Sequence, residues 1–236
     1  MENNGRVWIC CGNDLETNET IKILDKQDEN CIFASRVQGV SWRNLRPAIQ
    51  NLIRRKSKEG SKIYGIGVSD RLLGVDTYNI TSSMDTEKGK LSSLDVISEL
   101  LDVKLSLDQQ FISSYLKEGK DGVYKLADKL EIGDYGNKIL TYIQIRDRQA
   151  KGIQISQEAE TVRALQNKRE ILDGNFSVIK LPHNKIETIV DRNFDDDNLL
   201  VLCPNEETYF LGEEKYVKKL EHKFDNESKS KQLRYI

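Results

Sequence analysis

Short apolar runs and periodic apolar stripes alternate along the first half of the chain. Residues 7–11 read V-W-I-C-C, a continuous apolar run that is typical of a strand buried on both faces. A polar turn at residues 12–18 and a first helix around residues 21–24 follow, and residues 31–37 predict a second strand. Strand, helix and strand in this order predict βαβ units and a mainly parallel sheet.

The same pattern continues with a helix and two more strands. Ser41 is predicted to cap a helix at residues 42–58, whose apolar positions recur with the helical period. Residues 62–68 and 77–80 predict the third and fourth strands. In parallel sheets, chemistry gathers at the carboxyl ends of the strands. The loops at these ends are residues 12–18, 69–74 and 81–85.

The rest of the chain is predicted to be helical first and then mixed. The expected helices are residues 93–101, 107–116, 122–130, 135–149 and a long one at 156–172. The last part is predicted to have strands at 176–181, 199–203 and 208–211 and helices at 186–190 and 215–224. A polar tail that frays is expected at the end. We therefore expect an α/β domain at residues 1–154, a connecting helix at 155–174 and a smaller α/β domain at 175–236.

Composition narrows the class of protein. The net charge is −2 with 31% charged residues, so no whole-chain attraction to nucleic acid or membrane is expected. No stretch reaches the roughly 18–20 apolar residues of a membrane span. Four cysteines occur without C-x-x-C spacing, which favours reduced thiols in a cytoplasmic protein.

Two stretches carry a resemblance to a known family. They are S-S-L-D-V at residues 92–96 and I-R-D-R-Q-A-K-G-I at residues 145–153. With the predicted order of elements, they resemble the DHH phosphoesterase superfamily, which includes RecJ exonuclease, nanoRNA hydrolases and cyclic dinucleotide phosphodiesterases. The resemblance implies a parallel-sheet domain, a linking helix and a small β-rich domain. It also implies two divalent ions, usually manganese, held by aspartates and histidines.

The metal-binding motifs of that superfamily are degenerate here. The first motif falls on residues 12–17, where Asp14 is retained and Glu16 replaces the second aspartate. The carboxylate of the next strand corresponds to Asp70 or Asp76. The Asp-His-His motif falls on neutral hydroxyls, which are poor ligands for a dication, namely Thr81, Ser82 and Ser83.

Histidine content leads to the same expectation. The two histidines, His183 and His222, both fall in the expected C-terminal domain. A two-manganese site of the usual kind therefore cannot be assembled at the strand ends, and we expect a non-catalytic DHH-like protein without a cofactor. The alternative is a magnesium- or manganese-dependent phosphoesterase. It requires four carboxylates to converge within about 4–6 Å. They are Asp14, Glu16, Asp70 and Asp85.

Each of these signals also has a purely structural interpretation. Acidic residues such as Asp14 and Glu16 favour a helix N-terminus without any metal. The basic run that contains Arg43 and Arg46 fits either a phosphate-binding patch or a solvated helix face. The pair Arg146 and Arg148 could contact phosphate, but an ion-pair network around Asp147 is favoured.

Three functions remain open from the sequence. The first is a binding or regulatory subunit that pairs with an active DHH paralogue or with itself. The second is the divergent phosphoesterase, acting on nucleotides or short oligonucleotides. The third is a nucleotide-sensing regulator whose ligand lies in the cleft between the two domains.

Overall fold

The chain folds into two compact units, residues 1–151 and residues 152–236. The structure is a computed structural model, and it describes residues 5–70, 74–80, 84–86, 89–171, 176–192, 198–217 and 232–235. In these ranges no helix is long and apolar enough to cross a membrane.

The first unit is an α/β unit around a parallel sheet. The sheet has four strands in the order β2-β1-β3-β4, and every neighbouring pair is parallel. This confirms the α/β class and the parallel sheet predicted from the apolar runs. The elements are β1 (Arg6–Cys11), α1 (Leu15–Lys26), β2 (Asn30–Ser35), α2 (Pro47–Lys58), β3 (Lys62–Ile66), β4 (Thr77–Ile80), a hairpin of β5 (Met84–Thr86) and β6 (Gly89–Leu91), α3 (Ser93–Leu101), α4 (Leu107–Glu118), α5 (Lys120–Lys129) and α6 (Gly136–Ala150).

Helices cover both faces of this sheet. On one face Trp8 and Cys10 of β1 share a buried cluster with apolar residues of α1, α3, α4, α5 and α6. On the other face Val7 and Ile9 pack with Ile53 of α2. Successive residues of β1 therefore alternate between two cores, which explains why the V-W-I-C-C run has no polar position.

Helix α1 begins earlier than the sequence predicts. The polar turn predicted at residues 12–18 ends at Asp14, because Asp14 is the N-cap of a helix that starts at Leu15. Its Oδ1 accepts the Thr17 N–H at 2.7 Å. Because the N-cap is a polar residue, residues 12–18 look like a turn in sequence, although most of them belong to the helix.

The helix predicted at residues 42–58 is split by Pro47. Ser41 caps a short 3-10 helix at Trp42–Asn44, and α2 begins only at Pro47. Arg46 has φ −52° and ψ 139°, the extended conformation that a following proline favours. The break turns the indole of Trp42 toward the sheet, where it is fully buried.

The second unit contains a mixed sheet of five strands in the order β11-β10-β9-β8-β7. Helix α7 ends at Gln166, so the helix predicted to reach residue 172 is too long, and residues 169–171 form an edge strand instead. The polar tail was predicted to fray, but residues 232–235 pair in parallel with β10. The elements of the second unit are α7 (Ile155–Gln166), β7 (Arg169–Ile171), β8 (Phe176–Lys180), α8 (Glu187–Arg192), β9 (Leu199–Leu202), β10 (Glu207–Leu211) and β11 (Gln232–Tyr235).

Helix α7 belongs to the core of the second unit. Ala164 and Leu165 pack against the buried cluster that contains Ile179, Ile189 and Val201. The compact units divide between Lys151 and Gly152, so α7 falls within the second one.

Candidate functional site

The strand order creates a switch point between β1 and β3. Helix α1 connects β1 to β2, which lies on one side of β1. Helix α2 connects β2 to β3, which lies on the other side of β1. Ligands of open α/β sheets bind at such a point, beyond the carboxyl ends of the strands. This is the edge that the sequence singled out.

Two cavities of about 220 Å³ and about 450 Å³ open at this edge. Both are lined by Glu16 and Gln38, so they lie side by side, and we refer to them together as the switch-point cleft. The smaller cavity is lined by Glu16, Thr17, Gln38, Gly39, Ile66, Gly67, Val68, Ser69, Ile80 and Ser93. The larger one is lined by Asp14, Leu15, Glu16, Gln38, Tyr115, Leu116, Lys117, Gly119, Asp147 and Lys151.

Gly67 allows the two central strands to meet at the base of the cleft. Its φ is +66°, and an added Cβ would lie 1.9 Å from the carbonyl oxygen of Cys11. The Gly67 carbonyl accepts the N–H of Gly39 at 2.8 Å, which fixes the loop after β2 over the end of β3. Only glycine fits such a contact at this φ, so the shape of the cleft depends on Gly67.

Asp14 and Glu16 both line the cleft, but each is engaged by the chain itself. Asp14 caps α1 through Oδ1, whereas its Oδ2 is buried without a hydrogen-bond partner in the described part of the chain. Glu16 is 5% exposed, and its Oε1 accepts the backbone N–H of Ser93 at 2.7 Å. Burial raises the pKa of Glu16, although the hydrogen bonds from Ser93 oppose that shift.

The larger cavity contains both signs of charge. Lys151 Nζ lies 2.6 Å from Asp147 Oδ2, and Lys117 Nζ lies 3.0 Å from Asp95 Oδ2. Burial disfavours the charged form of Asp95, but hydrogen bonds from Ser92, Ser113 and Lys117 outweigh it and lower its pKa. The larger cavity thus combines two lysines with the carboxylates of Asp14, Glu16 and Asp147 and has no excess of positive charge. Ile66, Val68 and Ile80 make the smaller cavity mainly apolar.

Asp70 is directed away from the cleft. Its two oxygens accept the hydroxyl of Ser41 and the backbone N–H of Trp42, each at 2.7 Å. The hydrogen bond from Ser41 is the main reason why the pKa of Asp70 is lowered. The side chain of Asn79 completes this contact by bonding the Asp70 carbonyl and the Trp42 indole. Asp70 thus fixes the 3-10 helix to the sheet.

The other predicted ligands do not join Asp14 and Glu16. Asp76 directly precedes β4, which places it at the amino edge of the parallel sheet, and it is exposed. Asp85 pairs with Lys90 in the β5–β6 hairpin, and its side chain lies outside the described parts. Among the described residues, no group of three or more His, Cys, Asp and Glu could hold a metal ion. Thr81, Ser82, Ser83 and His222 also lie outside the described residues.

The predicted phosphate-binding arginines have different positions. Arg146 forms ion pairs at 2.5 Å with Glu19 of α1 and Asp108 of α4. Asp147, which was expected to hold the arginines, instead forms an ion pair with Lys151. Arg148 is buried, with 4% of its surface exposed. Arg43 and Arg46 are exposed, outside the residues that line the cleft.

Comparisons with protein-family models, with curated proteins and with solved structures found no match. Membership of the DHH superfamily therefore stays a prediction from the sequence.

Several residues of the site escaped the sequence reasoning. Gln38 is an ordinary surface residue in sequence, and no pattern identifies it as a wall of the cleft. Lys151 lies in the stretch at residues 145–153 that carries the resemblance, but it was not named as a site residue. The burial of Glu19 was missed because one of its two cationic partners, Arg146, lies 127 positions away, although the other, Lys22, is only three positions away. Asp95 could have been found, since Ser92 and Asp95 have the spacing of a capping box.

Proposed function

We propose that this protein is a non-catalytic, DHH-like binding protein whose ligand is a nucleotide held in the switch-point cleft. It would act as a sensor or as a regulatory subunit, paired with an active DHH paralogue or with a second copy of itself. The observation that carries this proposal is the engagement of the motif carboxylates. Asp14 caps a helix, Glu16 accepts from Ser93, and Asp70 accepts from Ser41 and Trp42.

The two ends of the cleft support a nucleotide as the ligand class. The apolar smaller cavity offers carbon surface and backbone groups to a base. Lys117 and Lys151 are the cations of the larger cavity, and a phosphate would bind them in exchange for their carboxylate partners Asp95 and Asp147. Small-molecule sites commonly combine a mainly apolar lining with a few polar groups. Both cavities belong to the first unit, so this site is not the cleft between domains that the sequence reasoning considered.

A thermal-shift and calorimetric screen tests the proposal. Nucleoside monophosphates, cyclic dinucleotides and short oligonucleotides are offered to the full chain in the presence of EDTA. A ligand at ~100 times its Kd should raise the free energy of unfolding by about 2.7 kcal/mol. If no nucleotide shifts the transition of the first unit, the proposed function is wrong.

A matched pair of lysine variants locates the site. Lys151→Met removes a cation from the cleft, and Lys125→Met removes one from outside it. Each lysine pairs with a carboxylate at 2.6 Å, so the two changes disrupt similar ion pairs. Loss of a charge-assisted hydrogen bond of about 1.5 kcal/mol should weaken binding roughly tenfold in Lys151→Met. Equal affinities in both variants would exclude the larger cavity as the phosphate end.

The buried Oδ2 of Asp14 favours a second candidate function, the divergent phosphoesterase. An unpartnered buried carboxylate oxygen beside Glu16 and a cleft is a feature that a magnesium or manganese ion could satisfy. Hydrolysis of the same nucleotides is measured with each metal, for the parent chain and for Asp14→Asn. Turnover that Asp14→Asn abolishes would replace the binding proposal with the enzymatic one.

A further inference from the structure

Two cysteines face each other across the first two strands of the parallel sheet. Cys10 of β1 and Cys31 of β2 bring their sulfur atoms to 3.3 Å. In the register of the pair, Trp8 lies opposite Cys31 and Phe33 lies opposite Cys10. The two cysteines are therefore diagonal neighbours on the same face, against the helices of the larger core.

The two thiols differ in exposure and in acidity. Cys10 is fully buried, whereas Cys31 is partly exposed on a strand at the end of the sheet order. The hydrogen bond between the sulfurs lowers the pKa of Cys31 and raises that of Cys10, and burial adds to the increase at Cys10. Ionisation is therefore favoured at Cys31, the more exposed residue of the two. Asp25 opposes ionisation of both thiols, although its effect on Cys31 is smaller than that of the hydrogen bond.

We propose that Cys10 and Cys31 form a reversible disulfide when the protein meets a hydroperoxide. The Cys31 thiolate attacks a peroxide oxygen, the O–O bond breaks, and a sulfenic acid forms as water leaves. The sulfur of Cys10 then attacks the sulfur of Cys31, the S–O bond breaks, and a second water leaves. Two thiols and one hydrogen peroxide give one disulfide and two waters. This inference is independent of the nucleotide proposal.

A bond between Cys10 and Cys31 requires the backbone to adjust, because diagonal neighbours on paired strands lie about 7–8 Å apart, above the usual Cα separation of a disulfide. The sulfur atoms must approach from 3.3 Å to about 2.05 Å, a displacement of little more than an ångström. Between Cys10 and Cys11 the pairing of β1 with β2 shifts register, and such irregularities change the direction of side chains. β2 is hydrogen-bonded to β1 alone in the described sheet, so no second strand opposes this adjustment, although Ile32 and Ala34 of β2 pack in the core on the opposite face.

The other two cysteines serve as internal controls. Cys11 follows Cys10 directly, but it belongs to the core on the opposite face of the sheet. Cys203 lies in the second unit, where burial raises the pKa of its thiol to about 11. Neither has the geometry or the acidity of the Cys10–Cys31 pair.

Peroxide treatment of the native full-length chain tests the inference. Free thiols are alkylated after denaturation, and peptide mapping with fragmentation identifies each modified cysteine. Two of the four thiols should become unreactive, and the mapped bridge should join Cys10 to Cys31. A thiol reductant should restore all four. A bridge to Cys11 or Cys203, a bridge between two chains, or four free thiols would each overturn the inference.

Two variants separate the roles of the thiols. In Cys10→Ala the sulfenic acid on Cys31 cannot be resolved, so dimedone labelling of Cys31 should rise several-fold over the parent chain. In Cys31→Ala neither a bridge nor dimedone labelling of Cys10 should appear, whereas Cys203→Ala should behave as the parent. Should Cys10→Ala fail to fold, competition by dimedone during oxidation of the parent chain gives the same information. Equal labelling of Cys31 with and without Cys10 would contradict the resolving step.

Discussion

Substitution of Gly67 by alanine should open or unfold the first unit, because two separate constraints meet at this residue. The φ of +66° lies in the left-handed region, where a Cβ is unfavourable. The added Cβ would also lie 1.9 Å from the Cys11 carbonyl oxygen, far inside contact distance. The oxygen belongs to backbone at the end of a buried strand, so it cannot move as a flexible side chain would.

The expected loss follows from adding the two effects. A non-glycine residue in the left-handed region costs about 1–2 kcal/mol. Forcing backbone apart in a well-packed core costs about 1–3 kcal/mol more. Gly67→Ala should therefore lower the free energy of unfolding by roughly 2–5 kcal/mol, a large part of the stability of an ordinary domain. Gly60→Ala is the control, because Gly60 has φ +85° but nothing within 4 Å of the added Cβ.

Urea unfolding followed by tryptophan fluorescence is the assay. The chain has two tryptophans, Trp8 and Trp42, and both are buried in the first unit, so the signal reports on that unit alone. The two variants share the cost of the φ, so they differ by the contact contribution of about 2 kcal/mol. With a urea m-value of about 2 kcal/mol/M, the midpoint of Gly67→Ala should fall about 1 M below that of Gly60→Ala. Equal midpoints would show that the φ alone determines the loss of stability and that the Cys11 carbonyl adds no steric cost.

Three further predictions concern charges and caps in the first unit. Burial raises the pKa of Glu16, so the folded state favours the neutral carboxyl group. The free energy of unfolding should therefore fall as pH rises through this raised pKa. Glu16→Gln should flatten this loss between about pH 4.5 and neutrality, as measured by urea midpoints across that range. Arg146→Met removes one of the two cations bonded to the buried Glu19 and leaves Lys22, so it should cost about 1.5 kcal/mol in the same assay, whereas Lys125→Met should be nearly neutral. Ser92→Ala removes a capping box and should cost about 1–2 kcal/mol, and no change in its midpoint would contradict the role of the cap.

Local pattern predicted the scaffold well. The strand at Thr77–Ile80 has the bounds that the apolar run indicates, and Ser92 and Ser106 cap the helices expected after them. These features depend on residues that are close in sequence, so a single chain contains the necessary information. The errors at residues 12–18 and 42–58 arose where one residue, a capping aspartate or a proline, overrides the surrounding pattern.

The cleft could be predicted only in outline. Parallel topology and the strand-end rule indicated the correct edge and two of its carboxylates, Asp14 and Glu16. The orientation of Asp70 depends on Ser41 and Trp42, which lie 29 and 28 positions away, and no period of the sequence encodes that contact. The proximity of Cys10 and Cys31 likewise requires the register of two strands, which sequence spacing alone does not define.

The packing of α6 against α1 affects when the first unit folds during translation. Arg146 reaches Glu19 across 127 positions, and Asp147 accepts the Leu15 N–H across 132. A nascent chain that has emerged only as far as α5 holds all four strands, yet α1 lacks its final helical neighbour. Pairings at this sequence separation form late and slow folding. The unit should therefore reach its protease-resistant state on the ribosome only after residue 147 has left the exit tunnel.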